Sequence, residues 1–144
     1  MSKVEKSIFG IRRISAEIKA KPSQKGIIRP TLRSKNSLSP TKKSLLIEST
    51  LTVDLVSESG EICASVLIES CCQFEFATPL SEENIHSPEK LEQFITPVYL
   101  RMAQRVEWIF ADMGVTMHLP IVFPFDLQQD QLASSRSEPL AQRA

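Results

Sequence analysis

Two stretches of alternating side chains, joined by five polar residues, constrain this chain more than anything else in it. In "SLLIESTLTVDLV", residues 44–56, Leu45, Ile47, Leu51, Val53 and Leu55 fall on one side of an extended chain and Glu48, Thr50, Thr52 and Asp54 on the other. That period of two marks a strand with one dry face. The link "SESGE" is short and polar and carries Gly60, so it predicts a hairpin into an antiparallel neighbour. Residues 61–77 then place Ile62, Ala64, Val66, Ile68, Cys72, Phe74 and Phe76 together, with Cys63, Ser65, Leu67, Glu69, Cys71, Gln73 and Glu75 opposite. Both strands exceed the usual five or six residues, which implies a wide antiparallel sheet with one solvated face.

The first segment, "IFGIRRISAEIKA" over 8–20, also alternates. Ile8, Gly10, Arg12, Ile14, Ala16, Ile18 and Ala20 lie against Phe9, Ile11, Arg13, Ser15, Glu17 and Lys19. Its helix formers compete, but the β-branched isoleucines favour a strand. Residues 21–43 collect Pro, Ser, Lys, Gly and Asn and predict a long basic loop with one short strand at most, around Ile27 and Ile28.

Further on, Ser87-Pro88 has the chemistry of a helix start, a capping hydroxyl before a proline whose missing donor costs nothing there. Thr96-Pro97 repeats it. Because interior proline breaks a helix, the expectation is a short helix over 88–95 and a longer one over 97–113, stopped by Gly114. Leu91, Ile95, Val98, Met102, Val106, Ile109 and Met113 form one apolar stripe across both. Pro120 and Pro124 then hold "VTMHLPIVFPFDL" extended. Residues 128–144 are polar and lack aromatics, as expected of a flexible tail after a single domain over 1–127.

Composition narrows the function classes. No apolar run approaches the roughly 20 residues that cross a bilayer, and the charged start "MSKVEKSIFG" precedes no signal-peptide core, so a cytoplasmic protein is expected. Cys63, Cys71 and Cys72 lack the spacing of metal or redox motifs, and neighbouring Cys71 and Cys72 would point to opposite faces of a strand. No glycine-rich phosphate loop exists among the four glycines, and no motif in the sequence brings a nucleophile or paired carboxylate to either His86 or His118. A non-enzymatic protein without cofactor or metal is the expectation. The net charge of zero conceals a division: residues 1–43 hold twelve Lys or Arg against two acids. Such a segment can meet acidic protein, or serve nucleic acid through Arg12 and Arg13 as a small regulatory module. Phe9 is its only aromatic, however, so base stacking has no platform there.

The order of elements resembles the SecB family of protein-export chaperones over residues 8–127. The resemblance rests on "IRRI" at Ile11 to Ile14 on the first strand. It rests also on Pro97, Tyr99 and Arg101 opening the helix, and on Gly114 followed by Leu119, Pro120, Ile121 and Phe123 with the proline shifted by one residue. It implies an α+β fold, an antiparallel four-stranded sheet packed against one long helix, assembled as a homo-oligomer, a dimer or a tetramer built as a dimer of dimers. It also implies an ATP-independent holdase that binds unfolded client proteins, with Leu119, Ile121, Val122, Phe123 and Phe125 lining an apolar groove and Phe74 and Phe76 near it. The family docks on the motor SecA through acids on the sheet's exposed face. Here Glu17 stands as one, while Lys21 replaces a second and Ser65 and Leu67 replace an apolar and an acidic residue. The family's other branch chaperones antitoxins of toxin–antitoxin pairs, and a basic first third suits an acidic client.

Overall fold

The computed structural model describes residues 4–21, 26–81 and 88–120. Four strands, β1 (Val4–Ile18), β2 (Ile27–Leu38), β3 (Ser44–Val56) and β4 (Ile62–Phe76), precede one helix, α1 (Pro88–Asp112). The strands form one sheet in the order β1-β4-β3-β2, each antiparallel to its neighbour.

The central hairpin follows the alternation. In β3, Leu45, Ile47, Leu51, Val53 and Leu55 are buried, and in β4 so are Ala64, Val66, Ile68, Cys72, Phe74 and Phe76. The turn closes with the Ser57 N–H on the Glu61 carbonyl at 2.8 Å, and Gly60 supplies the left-handed residue at φ 92°. One departure occurs at Cys63. Leu55 pairs with Ala64 but Val56 with Ile62, so Cys63 is an extra residue in a bulge; it turns inward to 6% exposure instead of facing out. Its carbonyl accepts the N–H groups of Lys19 and Ala20, which ties the end of β1 to the sheet.

The basic stretch expected as a loop is mostly strand. β2 pairs with β3 in unbroken register from Ile27–Val56 to Leu38–Leu45. Pro30 is compatible because β2 is an edge strand, where a missing donor can face away from the ladder. The inward side of β2 is partly polar, which hides it from a hydrophobic pattern. Ser34 lies opposite the buried Ser49, their hydroxyls 3.0 Å apart, and Ser49 lies opposite Ser70, whose hydroxyl donates to the Met102 sulfur at 3.1 Å. Leu32, at 1% exposure, is the strand's anchor in the core.

β1 begins at Val4, earlier than expected, and its alternation is interrupted. Ile11 pairs with Ser70 and Arg13 with Glu69, leaving Arg12 unopposed in a second bulge. The bulge switches the parity, so Phe9 and Ile11 before it share the helix-facing side with Ile14, Ala16 and Ile18 after it. The expected grouping of Ile8, Gly10 and Arg12 with Ile14 therefore does not form.

The two expected helices are one. Pro97 lies inside α1. It removes the bond to the carbonyl of Gln93, but both residues are on the exposed side, where water can serve that carbonyl. Phe94, Ile95, Val98 and Tyr99 are buried on either side and hold the helix continuous against the sheet. Pro88 is the first helical residue; Ser87 lies outside the described residues. The stop at Gly114 is as expected. Its φ is 86°, its N–H bonds the Ala111 carbonyl and the Val115 N–H bonds the Phe110 carbonyl, the paired bonds of a Schellman cap. Leu91, Ile95, Val98, Met102 and Val106 are buried, Ile109 and Met113 half so, and Phe94, Tyr99, Ala103 and Phe110 widen the stripe.

Candidate functional site

After the cap the chain runs back along α1. Val115, Met117 and Leu119 are buried and alternate with exposed Thr116, His118 and Pro120, the pattern of an extended segment with one packed side. Three contacts strap it down. The Leu119 N–H donates to Glu107 Oε2 at 2.8 Å, the Tyr99 hydroxyl donates to the Pro120 carbonyl at 2.7 Å, and His118 Nδ1 stands 3.8 Å from Glu107 Oε1. Tyr99 is fully buried, and burial, helped by the Glu107 charge, pushes its pKa up to about 12. It stays a donor throughout the ordinary pH range.

Between helix and connector an open groove of ≈ 300 Å³ remains, lined by Leu100, Ala103, Gln104, Glu107, Leu119 and Pro120. A narrower cleft of ≈ 60 Å³ opens between β1 and the first half of α1, where Phe9, Cys72, Phe74, Pro97, Val98 and Arg101 meet. The Arg101 guanidinium covers it, 5.2 Å from the Phe9 ring centre. Burial pushes the Cys72 thiol up, opposed by the Arg101 charge.

The expected groove residues divide. Leu119 lines the connector groove at 6% exposure and Phe74 lines the β1 cleft. Phe76 is enclosed, edge-on to Phe94 at 5.7 Å and 83°, and Phe74 packs on the same ring at 5.3 Å. Ile121, Val122, Phe123 and Phe125 lie outside the described residues. Sequence reasoning missed Leu100 and Trp108. They occupy the outward side of α1 at 39% and 56% exposure, with Arg105 5.8 Å from the Trp108 ring. Their signal was available, as two large apolar residues eight apart that belong to no buried stripe.

The sheet's outer face is charged in a patterned way. Glu17 is exposed there, opposite Ser65, which donates to Asp54 at 2.5 Å; Leu67 is half-buried and Lys21 exposed. The β1 arginines are committed to acids on the central strands, Arg12 to Glu48 at 2.7 Å and Arg13 to Glu69 at 3.9 Å. Cys71 and Cys72 do point to opposite faces, one half-exposed and one buried. Among the described residues no group of three His, Cys, Asp or Glu could hold a metal, and no helix is long and apolar enough to cross a membrane.

No protein-family profile and no curated protein matches the sequence. Among solved structures the chain is similar to the Mycobacterium tuberculosis Rv1957 SecB-like chaperone, in complex with a ChAD peptide from the Rv1956 HigA1 antitoxin. The TM-score is 0.67 and the identity 13%, over 85% of this chain and 91% of that one. A Streptococcus agalactiae protein of unknown function aligns at TM-score 0.40 and 13% identity, over 80% of this chain and 97% of that one. The chain thus has the SecB-like α+β fold, a four-stranded antiparallel sheet with one helix.

Proposed function

We propose that this protein is an ATP-independent holdase chaperone, not an enzyme, that binds unfolded or non-native segments of other proteins between α1 and the connector. The observation that carries the reading is the connector strapped back along α1, which leaves an open groove beside exposed Leu100 on a SecB-like fold. A groove that accepts many sequences needs apolar area and backbone polar groups more than individual side-chain contacts. Leu100, Leu119 and the Pro120 backbone supply both, and Ile121, Val122, Phe123 and Phe125 extend the apolar wall in sequence.

A second, narrower reading has the support of the antitoxin peptide held by the Rv1957 chaperone: the client is one antitoxin rather than exported proteins in general. In either reading the protein works in the cytoplasm as a homo-oligomer, dimer or tetramer. Exposed Ile14, Ile18 and Trp108 are the surfaces that favour assembly. Delivery to SecA would rest on Glu17 and is the weaker branch, since arginines already neutralise Glu48 and Glu69 on that face.

The test is suppression of aggregation of a reduced, unfolded client without nucleotide. Leu100→Asp and Phe123→Asp should each weaken it, and protein and client should co-elute as one species by light scattering behind a sizing column. A monomer that ignores both an unfolded client and an antitoxin-derived peptide would sink the proposal.

A further inference from the structure

The outer face of β2 carries an ordered set of groups that neither the core nor the groove uses. Ile27, Arg29, Thr31, Arg33, Lys35 and Ser37 alternate with the inward Ile28, Leu32 and Ser34; Ile27 is 66% exposed, and all three cations are exposed. Among the described residues none of Arg29, Arg33 and Lys35 takes part in an ion pair, because the nearby carboxylates are engaged elsewhere. Glu48 and Glu69 face Arg12 and Arg13, and Asp54 accepts from Ser65. Between the two sets lies an open hollow of ≈ 320 Å³, with Arg33 and Lys35 on one side, Arg12 on the other, and Glu48, Thr50 and Glu69 between them.

We infer that this face is a docking surface for an extended acidic peptide segment that lies along β2, places an apolar side chain on Ile27 and sets carboxylates against Arg29, Arg33 and Lys35. The spacing defines the partner. From Ile27 the cations stand two, six and eight positions along the strand, so an extended partner meets them with one apolar residue and three acids at the same intervals, over about 25 Å. Carboxylates fit better than a polyphosphate backbone for two reasons. Glu48, Glu69 and Asp54 line the adjoining strands and penalise a uniform line of phosphates, and no aromatic side chain lies on the outer face of the described strands to stack on a base. The surface is separate from the connector groove, so it stands or falls apart from the chaperone reading.

Cations on an edge strand also discourage pairing between sheets. That role needs no order and no acidic partner, so ordered probes separate the two. The probes are two labelled nonapeptides, one with Leu at position 1 and Glu at 3, 7 and 9, the other its reversal, each with Ser and Thr elsewhere and each paired with a Glu-to-Gln control. Fluorescence anisotropy against the full chain at low salt should find one Glu probe binding about tenfold or more tighter than its control. The preference should collapse as the ionic strength approaches about 0.5 M. Arg33→Glu with Lys35→Glu should abolish it, and a Lys-for-Glu probe should then gain binding to that variant, which excludes simple misfolding. Arg29→Ser should weaken the full probe but not one lacking the acid opposite Arg29. Equal binding of Glu and Gln probes, a preference that survives the double reversal, or an oligothymidylate of equal charge that binds tighter than the peptide would each overturn the assignment.

Discussion

β1 and β2 are the two edges of one sheet, and they are finished in opposite ways. β1 is bulged twice, commits its paired arginines to acids on the central strands, and leaves Val4, Ile8, Ile14 and Ile18 between 37% and 55% exposed. β2 is unbroken in register, anchors Leu32 in the core and leaves its three outer cations uncommitted. An edge offers unpaired backbone groups in either case, and charge guards it while exposed isoleucine invites company. The contrast teaches that the same position in a sheet can be finished in two ways, with exposed apolar side chains at β1 and with uncommitted charge at β2.

The largest effect that can break this contrast is on stability. Leu32→Ala on β2 should destabilise the chain by about 2–4 kcal/mol, because a fully packed leucine is removed from under the sheet's cover. Ile14→Ala on β1, at 42% exposure, should cost under about 1 kcal/mol. Urea unfolding of both at one protein concentration measures the difference. Equal losses would mean that β1 is as buried in solution as β2, which is what an assembled β1 edge would produce, and dilution would then separate them.

Assembly itself comes next. Ile14→Lys with Ile18→Lys should lower the mass in solution by at least one step of oligomerisation and leave the far-ultraviolet circular dichroism unchanged. The reversal of Arg33 and Lys35 on the other edge should leave the mass alone. Light scattering behind a sizing column reads both, and a mass that falls only with the β2 reversal would exchange the roles of the edges.

Tyr99→Phe touches neither edge. Losing the hydroxyl's bond to the Pro120 carbonyl should cost about 0.5–1.5 kcal/mol and speed amide exchange at Leu119. Its pH signature follows from the raised pKa. The unfolded phenol ionises near its ordinary value of 10 while the folded one holds its proton to about 12, so between these values the native state binds more protons and stability falls as pH rises. The Phe variant should lose that part of the alkaline decline. A parallel decline in both proteins would mean that the buried hydroxyl is not a protonated strut.

These differences also explain what could be read in advance. The β3–β4 hairpin and the Gly114 stop were legible because each residue's side chain or backbone freedom points the same way as the tertiary structure. β2 was not, because Ser34 on its inward side is satisfied by Ser49 across the sheet, a long-range hydrogen bond with no local trace. In β1 the bulge at Arg12 breaks the period that pattern reading depends on. Pro97 misleads in the other direction: its cost to an isolated helix is real, but tertiary burial of Phe94, Ile95, Val98 and Tyr99 outweighs it. Of the groove, Leu119 was expected only through the family resemblance, not from any local pattern of its own. The Tyr99 and Glu107 straps depend on the connector folding back along α1, which no local pattern encodes.

The smallest effect is the most telling about the edges, because it concerns how one prepares the other. Arg12 is exposed and Glu48 partly so, so their pair adds little to stability. The hydrogen bond to Glu48 nonetheless raises the Arg12 pKa, so the two charges are coupled. Glu48 stands opposite Lys35 on one side and Cys71 on the other. If Arg12→Gln releases it, the freed carboxylate has Lys35 as its nearest alternative along that row. The expected outcome is that Arg12→Gln, with unfolding midpoints barely moved, weakens the acidic nonapeptide's binding to β2 by about two- to fivefold at low salt and not at high salt. Glu48→Gln should leave it unchanged or tighter. A loss with Glu48→Gln equal to that with Arg12→Gln would show instead that the pair supports the hollow by shape. Arg12 would then belong to β1 alone, with no part in keeping β2's cations free.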